Sequence, residues 1–375
     1  MRVSYVTPFY NGECDGRYGR FHDWLHTLRD MEDRPFEFDV HAFMATNPDE
    51  TLKSVPTKHL GDAGDLWATK RNNLQTLLEA PQIYRDLQRS NPDVVHLVAF
   101  DSLLLPSLSA VSNDTPLVLG PNVGGWYPIR EDDIWLTGPV EAGKLRAKYL
   151  LRKHTVSRLN YAQVLSFSRY HQRMLELLGV RRSDVTNLRP GVDPMFSPGE
   201  TTESDGPPHE ILYVGDFSEH KGYPLFLRAV SHLSRDVRVQ VVGGGDPDHE
   251  LIRTLGIEDL VTVDGFVDRS DLQRYYRSAD LFVIPSIDET GPNTQFEALA
   301  CGTPIVATDT DGINEFVPED AAIHFWPRDP DSLATALESA LENIPMLTST
   351  ARRHAHEFQA STTVEQLDSL YRSLV

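Results

Sequence analysis

A chain of 375 residues, 40% of them hydrophobic, exceeds the usual size of a single core and divides most naturally into two domains. Its formal net charge of −20 sets an acidic field against nucleic-acid phosphates and excludes that class of partner. No run approaches the roughly 18 to 20 continuous apolar residues of a membrane span, and no apolar signal core follows Met1, so the chain is expected in the cytoplasm.

Cys14 and Cys301 are too few and too far apart for a disulfide framework or a zinc site. Seven lysines stand against twenty-eight arginines. An acidic, arginine-rich surface resembles that of proteins from cells with multimolar internal salt, where the Debye length shrinks to ~3 Å or less and self-repulsion is screened.

In chain order, RVSYVTPF is an apolar strand, followed by the turn-rich NGECDGRYG with Gly12 and Gly16. FHDWLHTLRDM is a helix with Phe21, Leu25 and Leu28 on one face, and FEFDVHAFM returns as a strand. PQIYRDLQRS is helical, DVVHLVAF a strand, and TPLVLGPNVGG a strand with a glycine-rich exit. Strand, glycine loop, helix, strand is the rhythm of a parallel sheet covered on both faces. Residues 141–160 hold Lys144, Arg146, Lys148, Arg152, Lys153 and Arg158 against a lone Glu141, with Leu145, Tyr149, Val156 and Leu159 at near-helical spacing. That is a basic amphipathic helix, suited either to an anionic lipid surface or phosphate-bearing acceptor, or to pairing with the acidic remainder of the molecule. In VLSFSRYHQRMLELLG, Ser168 caps a helix that ends near Gly179.

From about Pro190 to His209 the composition turns to Gly, Pro, Ser and acid without periodicity, the best linker candidate. A second strand–helix series follows: HEILYVGDF, GYPLFLRAVSHL, VRVQVVGGG, DPDHELIRTLG, LVTVDGF, SDLQRYYRSA, DLFVIPS, TQFEALACG and PIVATD. The expected fold is therefore α/β, two doubly wound Rossmann-like domains over 1–195 and 196–360, facing across a cleft. TTVEQLDSLYRSL, within 361–375, is an amphipathic helix placed to cross back to the first domain.

Chemistry concentrates in SIDETGPNTQFEALACGTPIVATDTDGINE. Glu289 and Glu297 stand eight apart on either side of a Gly291–Pro292 turn that opens a helix, whose start Asn293 or Thr294 can cap. The N–H groups there suit a diphosphate, Glu297 a ribose, and Glu289 the hydroxyls of a sugar, so a nucleotide-diphosphate sugar fits. Lys221, between a strand end and a helix, supplies a cation for the departing diphosphate. Gly244, within Gly243–Gly245, permits close backbone approach to a ligand, and Gly12 and Gly16 can bring donors from the other domain. No GxGxxG fingerprint follows a strand, and no GxxxxGK[ST] occurs. His96 is a packed strand residue, His22 and His26 lack the carboxylates of a metal site, and no metal or cofactor is called for.

The pieces VTNLRPGVDPMF, YVGDFSEHKG, VVGGG, VDGFV, LQRYYRSADLFVIPS, ETGPNTQFEALACGTPIVATD and DGINE resemble those of retaining glycosyltransferases of the GT-B fold, the family 4 or group 1 type. The resemblance covers most of 160–325 and is looser before it. It implies a donor held by the second domain, an acceptor (a glycan or lipid-linked saccharide) held by the first, and retention of anomeric configuration without a metal. Glu289 and Glu297 match the family's carboxylate pair, Lys221 its diphosphate lysine, and Glu315 a glutamate after the next strand. Two departures stand out. Gly215–Asp216 replaces Gly-Arg, so a cation is missing: either Arg189, Arg17 or Arg20 replaces it, or Asp216 points away from the site. Asn122 stands where many members carry a histidine, and it cannot shuttle a proton near neutral pH. The alternatives are a sugar-nucleotide epimerase of the same fold and a catalytically silent sugar-nucleotide binder.

Overall fold

A computed structural model describes residues 1–7, 10–11, 19–42, 45–46, 57–59, 85–99, 115–122, 150, 153–154, 160–199, 206–287, 289 and 291–375. The chain forms two compact units, Met1–Leu188 with Val364–Val375, and Arg189–Thr363.

In the first unit the sheet strands are β1 (Arg2–Thr7), β3 (Glu37–Ala42), β5 (Thr57–His59), β6 (Val94–Ala99), β7 (Leu117–Asn122), β8 (Gln163–Ser166) and β9 (Val185–Asn187). They lie in the order β5-β3-β1-β6-β7-β8-β9, and every pairing is parallel. The two-residue strands β2 (Tyr10–Asn11) and β4 (Ala45–Thr46) pair separately. The central strands β6 and β7 read as nearly unbroken apolar runs because their successive side chains face opposite, equally buried sides. Val94 and Val98 meet α1 (Gly19–Asp30) through Phe21, Trp24, Leu25 and Leu28, whereas Val95 and Leu97 meet Met174 and Leu175 of α2 (Arg169–Leu177). Ser168 caps α2 by accepting from the His171 N–H at 3.0 Å.

In the second unit the strands are β10 (His209–Val214), β11 (Val237–Val242), β12 (Val261–Gly265), β13 (Leu281–Ile284), β14 (Ile305–Thr308) and β15 (Ala322–Phe325). Their order, β12-β11-β10-β13-β14-β15, is again wholly parallel. Counted within the unit this is 3-2-1-4-5-6, with the switch point between β10 and β13. One face is covered by α3 (Tyr223–Val230), α4 (His249–Leu255) and α8 (Pro330–Glu342), the other by α5 (Arg269–Ser278) and α6 (Asn293–Cys301). A short α7 (Asp311–Asn314) precedes β15, and α9 (Ile344–His354) follows α8.

The last helix, α10 (Ala360–Leu374), buries Val364, Leu367 and Tyr371 in the first unit's core. The stretch expected as a linker is built into the second unit instead. Val192 and Phe196 are fully buried there, and Val192 pairs with Gln359. Two apolar side chains in a turn-rich stretch suffice to anchor it, so the units divide at Leu188/Arg189 and Thr363/Val364 rather than at 195 and 360.

Among the described residues no helix is long and apolar enough to cross a membrane. The stretch 141–160 lies outside the described residues except for Leu150, Lys153, His154 and Asn160.

Candidate functional site

Three adjacent strands, β11, β10 and β13, send their carboxyl ends into loops that hold most of the expected site. After β10 the chain turns through Asp216 to Lys221 and Gly222, the left-handed residue that starts α3. A Cβ on Gly222 would lie 1.9 Å from the Pro285 carbonyl oxygen. Only glycine lets the loop after β10 press against the loop after β13. The Ile287 N–H donates to the His220 carbonyl at 3.0 Å across the same seam. Lys221 and Glu289 are thereby brought together, and the ammonium donates to Glu289 Oε1.

Beyond β11, a Cβ on Gly243 would fall 1.8 Å from Gly215 O, so Gly243 makes the close backbone approach. Gly244 has open space around it, and its carbonyl accepts from the Phe217 N–H at 2.9 Å. Beneath these loops Tyr213 donates to the Asp216 carbonyl at 2.6 Å. Burial, then the Asp216 charge, then Tyr223 and Glu289 push its phenol well up.

After β13, Gly291 and Pro292 lead into α6. Pro292 occupies the capping position and offers no side-chain acceptor there. Asn293, expected with Thr294 as the cap, is instead the first helical residue, one position inside the end. Glu297 follows within α6, 4% exposed. Its Oε2 accepts from the Tyr276 hydroxyl at 3.0 Å, and Arg269 Nη2 reaches its Oε1 at 3.4 Å. Burial, then the neighbouring Glu297 carboxyl, raises the Tyr276 phenol well above its ordinary range, so Tyr276 keeps its proton and donates a hydrogen bond to the Glu297 oxygen. Glu315 directly follows α7 and is half-buried.

Other expectations resolve differently. Asp216 is exposed. Arg189, a candidate replacement cation, pairs with Glu357, whose carboxyl is held below its usual range first by a hydrogen bond from His354 and then by Arg189. Arg17, Gly12 and Gly16 lie outside the described residues, as does the side chain of Arg20. Asn122 ends β7 in the first unit. His96 is a packed strand residue, fully buried and bonded on both ring nitrogens. Among the described residues no three His, Cys, Asp or Glu side chains gather as metal ligands.

Arg269 and Tyr276 were not singled out by the sequence, although a signal existed. They stand seven apart on α5, two turns along one helix face. Arg269 also places a cation at the positive end of its helix, against the dipole preference, which marks a charge with another partner.

Residues 208–343 match the family model described as glycosyl transferases group 1. The D-inositol 3-phosphate glycosyltransferase 1 of Catenulispora acidiphila is 30% identical over 229 residues, 54% of this chain and 55% of that one. An uncharacterized glycosyltransferase of Methanocaldococcus jannaschii, MJ1607, is 32% identical over 139 residues, 36% of each chain. The chain spans about half the length, or less, of the curated relatives it matches. The crystal structure of Anabaena Alr3699/HepE in complex with UDP superposes with a TM-score of 0.76 at 18% identity, with all of both chains covered, which is a likeness of fold. Over residues 208–343 the chain is thus related in sequence to the group 1 glycosyl transferases, and its two Rossmann-like units have the GT-B fold.

Proposed function

We propose that the chain transfers a hexose from a UDP- or GDP-linked sugar to a hydroxyl of a glycan or lipid-linked saccharide, with retention of anomeric configuration. The observation that carries this reading is the Lys221–Glu289 pair in the loops that lead, through Gly291 and Pro292, to the start of α6, with Glu297 in that helix. It sits at the switch point of the second sheet, where such sheets bind nucleotides. The UDP in the Anabaena structure and the glycosyltransferase names of the relatives agree with it.

In this reading the N–H groups opening α6 and the Lys221 ammonium take the diphosphate, Glu289 the sugar hydroxyls and Glu297 the ribose. Gly291, Pro292, Asn293, Gly244 and Glu315 line the donor. The bond between the anomeric carbon and the diphosphate oxygen breaks, and its electron pair leaves with the diphosphate. The acceptor hydroxyl oxygen bonds to that carbon from the same face, and its proton passes to a phosphate oxygen. That route suits a site with Asn122, which is no base. A carboxylate gripping distal hydroxyls is not placed to attack the anomeric carbon, so Glu289 is assigned to binding.

Incubation with UDP- and GDP-sugars, with and without glycan or polyprenyl-phosphate saccharide acceptors, tests the reading. Product with the donor's anomeric configuration is expected. Lys221→Met should lower kcat by roughly 10²–10³-fold, the scale for losing one group that stabilises developing charge, and Glu289→Gln should raise the KM for the donor sugar. Epimer formation, donor hydrolysis alone, or full activity in both variants would overturn it. The basic stretch 141–160 adds a peripheral contact with anionic lipid on the cytoplasmic face. Flotation with anionic vesicles, lost when Arg152 and Lys153 become glutamate, is the expected result, and unchanged flotation refutes that contact. The acidic, arginine-rich composition favours a halophilic setting.

A further inference from the structure

Glu297 has only a narrow opening to solvent, and both of its oxygens are already engaged from one helix. Each carboxylate oxygen has two acceptor sites, so each keeps one for a ligand. The two donors are themselves held in place. The Arg269 guanidinium lies over the Phe196 ring at 5.0 Å from the centroid, and the same ring meets Tyr276 edge-on at 6.0 Å. Tyr276 is further braced edge-on by Phe282 at 5.3 Å, and Thr303 donates to its carbonyl at 2.6 Å. Phe196 is pinned in turn, since Gln359 donates to its carbonyl at 2.8 Å, and Arg277 donates to Ser197 O at 2.7 Å and Met195 O at 3.0 Å. A buried acid fixed by this many partners has one orientation available.

Resting on the reading of Glu297 as the ribose ligand, we infer that Arg269 and Tyr276 are positioning residues that aim this carboxylate, so that discrimination between ribose and deoxyribose nucleotides depends on them. Tyr276 fixes the plane of the carboxylate, and Arg269 holds its other oxygen in place. Phe196 sets the spacing between the two donors. Neither positioning residue needs to touch the nucleotide.

Calorimetric titration of the full chain with UDP, GDP and their 2′-deoxy forms tests this. Wild type should favour the ribose form by roughly 10- to 100-fold, the range for a hydroxyl donating to a charged acceptor. Glu297→Gln should nearly abolish that preference. Tyr276→Phe and Arg269→Met should each reduce it at least three-fold, by weakening the ribose form and leaving the deoxy form unchanged, and Arg269→Lys should keep more of it than Arg269→Met. Arg269→Met retains an apolar stem against Phe196, so it serves if Tyr276→Phe fails to fold. Two results would overturn the inference and leave the ribose role standing: a wild-type ratio in both variants while Glu297→Gln loses it, or equal weakening of both nucleotide forms. An unchanged ratio in Glu297→Gln, or no nucleotide bound by wild type, would remove the ribose reading and the inference with it.

Discussion

His96 makes the first unit's stability depend on pH in a way that can be calculated. It lies on β6 with no exposed surface, its Nε2 2.6 Å from the Gly120 carbonyl and its Nδ1 2.6 Å from the Tyr371 hydroxyl on α10. A carbonyl only accepts, so Nε2 carries the hydrogen and Nδ1 accepts from Tyr371. The ring is therefore satisfied as a neutral imidazole. Burial lowers its pKa from 6.5 to about 4, the Gly120 hydrogen bond opposing this in part. A depressed folded pKa means that the unfolded chain takes up a proton first as pH falls. The stabilisation is whole above 6.5, is lost progressively down to about 4, and changes no further below that. At 1.36 kcal/mol per pKa unit the full loss is about 3 kcal/mol, of which about 2 kcal/mol falls between pH 7.5 and 5.

Other groups titrate over the same range, so the measurement is a difference between wild type and His96→Gln, in which contributions elsewhere cancel. Two units preclude a single global transition. Native-state hydrogen exchange of peptides covering β6 and α10, corrected for intrinsic rates, reads the right unit. Wild type should lose about 2 kcal/mol more opening free energy than the variant between pH 7.5 and 5. Tyr5 and Tyr371, whose hydroxyls lie 3.4 Å apart beside the ring, have phenols pushed upward by burial and do not titrate there. Parallel profiles for the two proteins would refute the buried neutral imidazole.

Gly222→Ala puts a methyl against the Pro285 carbonyl in a left-handed residue and should cost roughly 2 kcal/mol or more in thermal unfolding of the second unit. It should also abolish nucleotide binding by parting Lys221 from Glu289, and unaltered binding would show that the seam does not set the site. Burial pushes the Cys301 thiol up to about 12. In a Cys14→Ser background the native chain should therefore resist maleimide at pH 8, and labelling at the rate of a free thiol would contradict that. Raising KCl from about 0.1 to 1 M shortens the Debye length from about 10 to 3 Å, which in a chain of net charge −20 should raise the apparent melting temperature of each unit. A falling melting temperature would dispose of the halophilic reading.

Lys221 and Glu289 read from the sequence as parts of one donor site, and the topology explains why they also meet as a pair. Each follows a strand in an alternating series, and a 3-2-1-4-5-6 order makes the first and fourth strands neighbours, so their loops must meet. The strands themselves were legible from runs such as VVHLVA, which only a doubly covered sheet accommodates. β15, α8 and α9 escaped because no chemistry drew attention to the stretch after DGINE, although Pro330 and Asp329 mark a helix start by ordinary capping rules. The role of Phe196 was hidden by composition. Its segment reads as a linker because Gly, Pro and Ser dominate the window, and averages over a window conceal a single buried ring. Phe196 nonetheless stands beneath Arg269 and against Tyr276, and both reach Glu297. A segment without periodicity can therefore carry the alignment of a site when its few apolar residues are pinned by long-range hydrogen bonds, here from Gln359 and Arg277. Those bonds join residues about 80 and 160 positions apart, separations at which no local pattern in a single sequence can report a contact.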